Sequence, residues 1–220
     1  MGDILVTRHI LSLCSGTGSW ERPFAEDPAY TVTAVDIEQG VDVRGYHPEG
    51  PVFGILAAPP CTSFAGSGAR WWAEKDKRHP ELLAEGIAVV EACLRIIGEA
   101  EGLRWWALEN PVGRIPRLIP ALGKASYTYQ PYEYGGWADD PTSQGYSKRT
   151  CIWHGGIARR PDERRVPNAK GSALWSIGPS GRDGVPRWKL RCVTPEGYAC
   201  AFKAMVEAEW HTQSALLPTQ

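Results

Sequence analysis

Apolar residues fall along this chain in two kinds of pattern. Residues 9–14 (HILSLC), 30–38 (YTVTAVDIE), 52–61 (VFGILAAPPC) and 104–111 (RWWALENP) carry short apolar or β-branched runs ended by Gly, Pro or acidic residues, which predicts buried strands. Between the third and fourth runs, Leu83, Ile87, Val90, Leu94 and Ile97 recur at spacings of four and three, which predicts an amphipathic helix over 80–101. A helix is also expected to begin near Trp20, and a short one to cover 112–122. Aromatic alternation in 126–136 (SYTYQPYEYGG) and 146–156 (YSKRTCIWHGG) predicts two later strands. The stretch 194–210 (TPEGYACAFKAMVEAEW) reads as a closing helix, with Thr194 suited to cap it, Pro195 to its first position and Glu196 to its first turn. Strands alternating with helices predict a mostly parallel, doubly wound α/β sheet.

In such sheets ligands sit at the carboxyl ends of the strands. Four stretches fall there: SGTG (Ser15, Gly16, Thr17, Gly18), VDIE with Asp36, PPC with Cys61, and ENP with Glu109 and Asn110. Glycines after a first strand let backbone approach a ligand, and a carboxylate ending the second strand suits ribose hydroxyls. The pattern is short of a full GxGxxG, so a nucleoside without pyrophosphate, S-adenosylmethionine, fits it better than a dinucleotide. Asp36 is expected at the ribose and Asp42 at the adenine amino group. Pro59 and Pro60 have fixed φ and hold Cys61 rigidly at a strand end, which suits a nucleophile. Residues 62–78 would then close over a substrate, with Gly66 and Gly68 as pivots. Glu109, partly desolvated at its strand end, is a candidate acid partner to that nucleophile.

The 220 residues suffice for one substantial domain, and 43% hydrophobic content with 22% charge is ordinary for a globular chain. No apolar run approaches the ~18 residues of a membrane span, and the start lacks a signal-peptide pattern, so a cytoplasmic protein away from membranes is expected. The six cysteines (Cys14, Cys61, Cys93, Cys151, Cys192, Cys200) include no CxxC pair and no zinc spacing; reduced thiols and no metal are expected. The net charge of −1 is unevenly spread: residues 144–191 hold 11 Lys/Arg against 3 Asp/Glu, the remainder 13 against 22. Lys148 and Arg149 open this basic stretch, whose one-sidedness suggests phosphate contacts.

The ordered set SGTG, VDIE, VDVR, PPC, ENP, KRT and the closing TPEGYACAF resembles the DNA cytosine-5 methyltransferase family, most closely the compact forms of phages and prophages. The resemblance runs from Leu11 to about Trp210, apart from 159–188. It implies a Rossmann-like methyltransferase fold, with a catalytic domain over 1–155 and 192–212, a basic recognition insert over 156–191 and a disordered tail over 213–220. It further implies S-adenosylmethionine as donor, held by Ser15, Gly16, Thr17, Gly18, Asp36, Ile37, Asp42, Val43 and Pro59, and cytosine-containing DNA as substrate for a monomer. Cys61 would add to C6 of a flipped-out cytosine, Glu109 would protonate N3, Asn110 would orient the loop and Arg149 would contact the base. This chain departs from the family with Thr62 after Cys61, Pro111 after Asn110 and Gly54 early in the cysteine strand. Two rivals stay open on the sequence: the same covalent chemistry on a nucleotide, RNA or with a modified donor, and a catalytically silent nucleic-acid binder.

Overall fold

A computed structural model of the chain describes residues 7–172 and 184–215. The four expected strands form: β1 (Arg8–Leu13), β2 (Tyr30–Val35), β3 (Gly54–Ala57) and β4 (Trp105–Pro111). The later pair are β5 (Tyr127–Tyr129) and β6 (Thr150–Gly155). All six lie in one sheet of order β2-β1-β3-β4-β6-β5. β1 pairs in parallel with β2 and β3, and β3 with β4, while β6 runs antiparallel to both β4 and β5. The mixed α/β, mostly parallel, Rossmann-like sheet read from the pattern is therefore present.

Both faces of the sheet are covered, which is why its strands are apolar runs without strict alternation. On one face, α3 (Pro80–Glu99) packs beside Leu11, Leu13, Ile55, Ala57 and Leu108. Its innermost residues are Val90, Ala92, Cys93 and Ile96, with Leu83, Ile87, Leu94 and Ile97 flanking them half-buried, so the buried face is centred slightly away from the predicted stripe. On the other face, the closing helix α6 (Glu196–Ala215) packs Tyr198, Ala201, Phe202 and Met205 against Ile10, Leu56, Trp105, Ala107 and Ile152. Gly54 has a steric role here: a Cβ on it would lie 2.2 Å from the indole of its cross-strand partner Trp105. α6 continues through Ala215, so residues 213–215 are helical where a disordered tail was expected; 216–220 lie outside the described residues. The helix expected near Trp20 is a single turn, α1 (Arg22–Ala25). The segment expected as one helix over 112–122 is α4 (Ile115–Leu118) followed by a 3-10 turn at Pro120–Leu122. Of the expected insert, residues 173–183 lie outside the described residues, while the short helix α5 (Arg187–Cys192) is part of its end.

The strand order reverses at β1: the chain goes from β1 to β2 on one side, then to β3 on the other. A crevice opens at such a switch point, beyond the carboxyl ends of the two strands. The glycine turn and Cys61 flank it.

Candidate active site

The turn after β1 is built from left-handed residues: Cys14 at φ 56°, Gly16 at 55° and Gly18 at 71°. Glycine adopts this region freely; Cys14 is the one non-glycine residue there among the described residues, a strained conformation held by its surroundings. Asp36 fixes the turn. Its Oδ2 accepts from Gly16 N at 2.8 Å and its Oδ1 from Glu38 N at 2.8 Å, and it is 8% exposed.

Two cavities meet this turn, and Cys14 lines both. The larger, about 460 Å³, is walled by Asp36, Ile37, Asp42, Val43 and Pro60 and runs between α3 and α2 (Trp72–Arg78). Ile37 presents an exposed aliphatic surface to it while Val43 is buried. The smaller, about 60 Å³, is lined by Ser12, Ser15, Gly16, Thr17, Ser19, Trp20 and Glu21, and by Cys192 and Thr194 from across the crevice. Two expected donor residues stand differently from the sequence reading. Asp42 caps the 3-10 turn at Val43–Gly45 through Arg44 N at 2.9 Å and is ion-paired with the Arg44 guanidinium, so its carboxylate is already engaged. Pro59 lines neither cavity, and its carbonyl accepts from Asn110 Nδ2 at 2.8 Å.

That last bond is one of several joining the thiol-bearing loop to the end of β4. Gly66 N donates to Val112 O at 2.8 Å, Arg114 N to Phe64 O at 3.0 Å, and Arg114 Nε to Ser63 O at 2.8 Å. Gly113 is required by the closeness of the two chains, because a Cβ on it would stand 1.9 Å from Phe64 O. Arg114, 7% exposed, also pairs with Asp76 (Nη2 to Oδ1 2.7 Å) and lies over the Trp72 ring, anchoring α2. Gly66, expected as a pivot, is thus an anchor point. These bonds stitch the loop to the end of β4.

Cys61 starts this loop, its carbonyl accepting from Phe64 N and Ala65 N, both at 2.9 Å. The neighbouring Cys192 thiol, aided by the charges of Lys148 and Arg191, lowers the Cys61 pKa from 9.0 to about 7, against the opposing effects of burial and the Glu109 carboxylate. The Cys192 thiol is correspondingly pushed up as the proton donor of the pair. Residues on both sides of Cys192 are tied into the site: Arg191 Nη2 reaches Ser67 Oγ at 3.2 Å, and Val193 O accepts from Lys148 Nζ at 2.8 Å.

Glu109 is 6% exposed and held on both oxygens. Oε2 accepts from Thr194 Oγ1 at 3.0 Å and from Tyr129 Oη at 3.3 Å, and Oε1 faces Lys148 Nζ at 3.8 Å. Tyr129 is itself fixed by stacking on Tyr198 at 3.7 Å between ring centroids. The Thr194 hydroxyl, expected to cap the closing helix, gives its proton to Glu109 instead.

Arg149 needs correction. Glu109 is opposite Ile152 in the β4–β6 ladder and Asn110 opposite Cys151, so side chains of even number on β6 share the Glu109 face. Lys148 follows that phase and turns inward, whereas Arg149 is exposed and holds the β4 exit only through its carbonyl, which accepts from Val112 N at 3.4 Å. The basic side chain beside Glu109 is that of Lys148. Sequence reading also missed Thr194, Tyr129, Cys192 and Arg114; only the adjacent KR pair carried any signal. Among the described residues, no three His, Cys, Asp or Glu side chains gather as a metal site, and no helix is long and apolar enough to cross a membrane.

The chain matches no protein-family model and no curated protein. Among solved structures it is similar to the 23S rRNA methyltransferase ErmE, at 13% identity over 91% of this chain and 91% of that one, with a TM-score of 0.36. It is also similar to the DhpI-SAM-HEP complex, at 12% identity over 77% of this chain and 66% of that one, with a TM-score of 0.29. At such scores the strand order itself, not the likeness, defines the architecture.

Proposed function

We propose that this protein transfers a methyl group from S-adenosylmethionine to C5 of cytosine in DNA, through a covalent adduct on Cys61. One observation carries the reading: a thiol with lowered pKa and a buried carboxyl stand at neighbouring strand ends, stitched together by the Asn110–Pro59 bond, beside a cavity walled by the Asp36 carboxylate and the apolar side chains of Ile37 and Val43. The size and lining of the two cavities fit a nucleoside with an amino-acid tail: about 460 Å³ with Asp36 at one end, and about 60 Å³ of polar space against the glycine turn. Bound there, the donor supplies an electrophilic methyl group.

The protein's own residues do the rest. Cys61, as thiolate, adds to C6 of the pyrimidine and makes C5 nucleophilic; C5 takes the methyl group, and loss of the C5 proton then expels the Cys61 thiolate and restores the 5,6 double bond, which divides one hard step into easier ones. Glu109, fixed by Thr194, Tyr129 and Lys148, takes up a proton from solvent as the base enters and holds it at N3, which relieves the negative charge that addition creates. Lys148 and the Cys192 thiol keep the sulfur ionised between turnovers. A base inside a duplex hides C6, so the cytosine enters the crevice flipped from its stack. DNA is the substrate that the basic composition of 144–191 supports. The mechanism needs one copy of the chain.

A second reading, the same addition to a free cytidine nucleotide rather than a polyanion, is favoured by one feature. Arg159 pairs with Asp162, and Arg160 and Arg165 pair with Glu163 and Glu133, so much of the insert's charge is spent inside the protein. Incubation with methyl-labelled S-adenosylmethionine and duplex DNA, single-stranded DNA, RNA or CTP, followed by mapping of modified cytosines, separates the readings. Label in DNA at C5 supports the first. Label confined to CTP supports the second, label confined to RNA overturns both as stated, and no label in any of them with a folded sample removes both.

A further inference from the structure

The small cavity has a chemical peculiarity. Three of the side chains lining it, Ser15, Trp20 and Glu21, each carry a buried polar atom with no hydrogen-bond partner: Ser15 Oγ, Trp20 Nε1 and Glu21 Oε2. Trp20 is 3% exposed and Glu21 6%. Buried polar groups are nearly always satisfied, and a buried carboxylate is costly unless a cation or several donors meet it. Glu21 has the Ser12 side chain and a backbone N–H as partners, but no cation. The one cationic residue lining the cavity, Lys189, is engaged with Glu38 at 2.8 Å. Burial, reinforced by the nearby Asp36 carboxylate, pushes the Glu21 pKa up, the mark of a site lacking positive charge.

The missing partners specify a ligand. An unpaired carboxylate oxygen calls for an ammonium group, and an unpaired indole N–H with a hydroxyl calls for an acceptor such as a carboxylate. Both charges on one small group describe the zwitterionic end of an α-amino acid. The volume agrees: about 60 Å³ holds about four water-sized groups at the ~15 Å³ each requires. We propose that Glu21 is the receptor for the α-ammonium of the methyl donor, with Trp20 Nε1 and Ser15 Oγ receiving its carboxylate. This rests on the donor reading above and adds what selects the amino-acid end. The strap 192–194 closes the far side of the cavity, so a ligand seated on Glu21 lies next to the residues that hold Cys61 and Glu109.

Calorimetric titration with two probes tests it. S-adenosylhomocysteine carries the amino-acid end; 5′-methylthioadenosine has the same thioether nucleoside without it. Glu21→Gln keeps shape and removes charge. It is expected to bind methylthioadenosine as wild type does, and S-adenosylhomocysteine about 10- to 100-fold more weakly, the size of a lost charged hydrogen bond. Trp20→Phe is expected to act in the same direction to a lesser degree. Unchanged affinity of E21Q for S-adenosylhomocysteine overturns the assignment, as does an equal loss for both probes. Wild-type protein that binds neither probe removes the donor reading and this assignment together. Because glutamine relieves an unpaired buried charge, ligand-free E21Q is expected to melt no lower than wild type; a large drop in melting temperature assigns Glu21 to the scaffold and overturns the proposal.

Discussion

At the Cys61 end of the crevice both oxygens of Glu109 have partners within the protein, the thiol has a donor in Cys192, and the loop is sewn to β4. At the Gly16 end, a few residues away across β1 and β3, three polar atoms of the cavity wall have no partner. The difference teaches how one crevice is divided. Under the two proposals above, the groups that act on a bond, Cys61 and Glu109, are held by neighbouring side chains, while those that recognise the donor are left for it to satisfy.

Removing the acting groups has the largest expected effect. Cys61→Ala abolishes methyl incorporation without unfolding the chain, and Glu109→Gln lowers turnover by about 10²- to 10⁴-fold; both are read with labelled donor. Retained activity in C61A would break the comparison, since the locked end would then be scaffold.

Gly113→Ala tests the lock itself. Its Cβ would stand 1.9 Å from Phe64 O, so the loop must shift, at an expected loss of about 1–3 kcal/mol in denaturant unfolding. An equal melting curve and unchanged Cys61 reactivity would show the two segments to be independent.

The third effect concerns pH. With the thiol pKa lowered to about 7, alkylation of Cys61 by iodoacetamide is expected to be half-maximal near pH 7 rather than 9.0. A depressed folded-state value contributes stability that is full above the unfolded-state value and lost as pH falls through the folded one. Because Cys192 is the first cause of the depression, Cys192→Ala moves the alkylation midpoint upward. An unmoved midpoint would assign the depression to the charges alone.

The smallest effects distinguish neighbours. Lys148→Met raises the same midpoint modestly, since Lys148 acts on Cys61 through charge, whereas Arg149→Ala leaves it in place. The reverse result would put Arg149 in the site and Lys148 outside it.

Much of this was legible in advance because strand ends announce themselves locally. Pro59 and Pro60 close β3 whatever else the chain does, and the glycines after β1 admit left-handed turns that other residues resist. The strand-end position of Glu109 and Asn110 was legible for the same reason, since Pro111 ends β4 just after them. Arg149 was misread because adjacent residues of a strand point to opposite faces, and only the register of β6 against β4 fixes which one turns inward. Thr194 was misread because its local role as a cap competes with a carboxylate 85 residues away in sequence. Gly66 was taken for a hinge because flexibility is a property of glycine alone, whereas anchoring depends on Val112 lying opposite.

By itself, then, the sequence determined the strands, their punctuation and the residue types at their ends, since these follow from local conformational preference and from burial on two faces. Only the tertiary structure decided which of those residues meet: the placing of Cys192 beside Cys61, the clasp of Thr194, Tyr129 and Lys148 on Glu109, and the one unpartnered oxygen, Oε2, of Glu21. Those are distances between segments far apart in the chain, set by the packing of α5 and α6 across the crevice, and no local pattern encodes a distance.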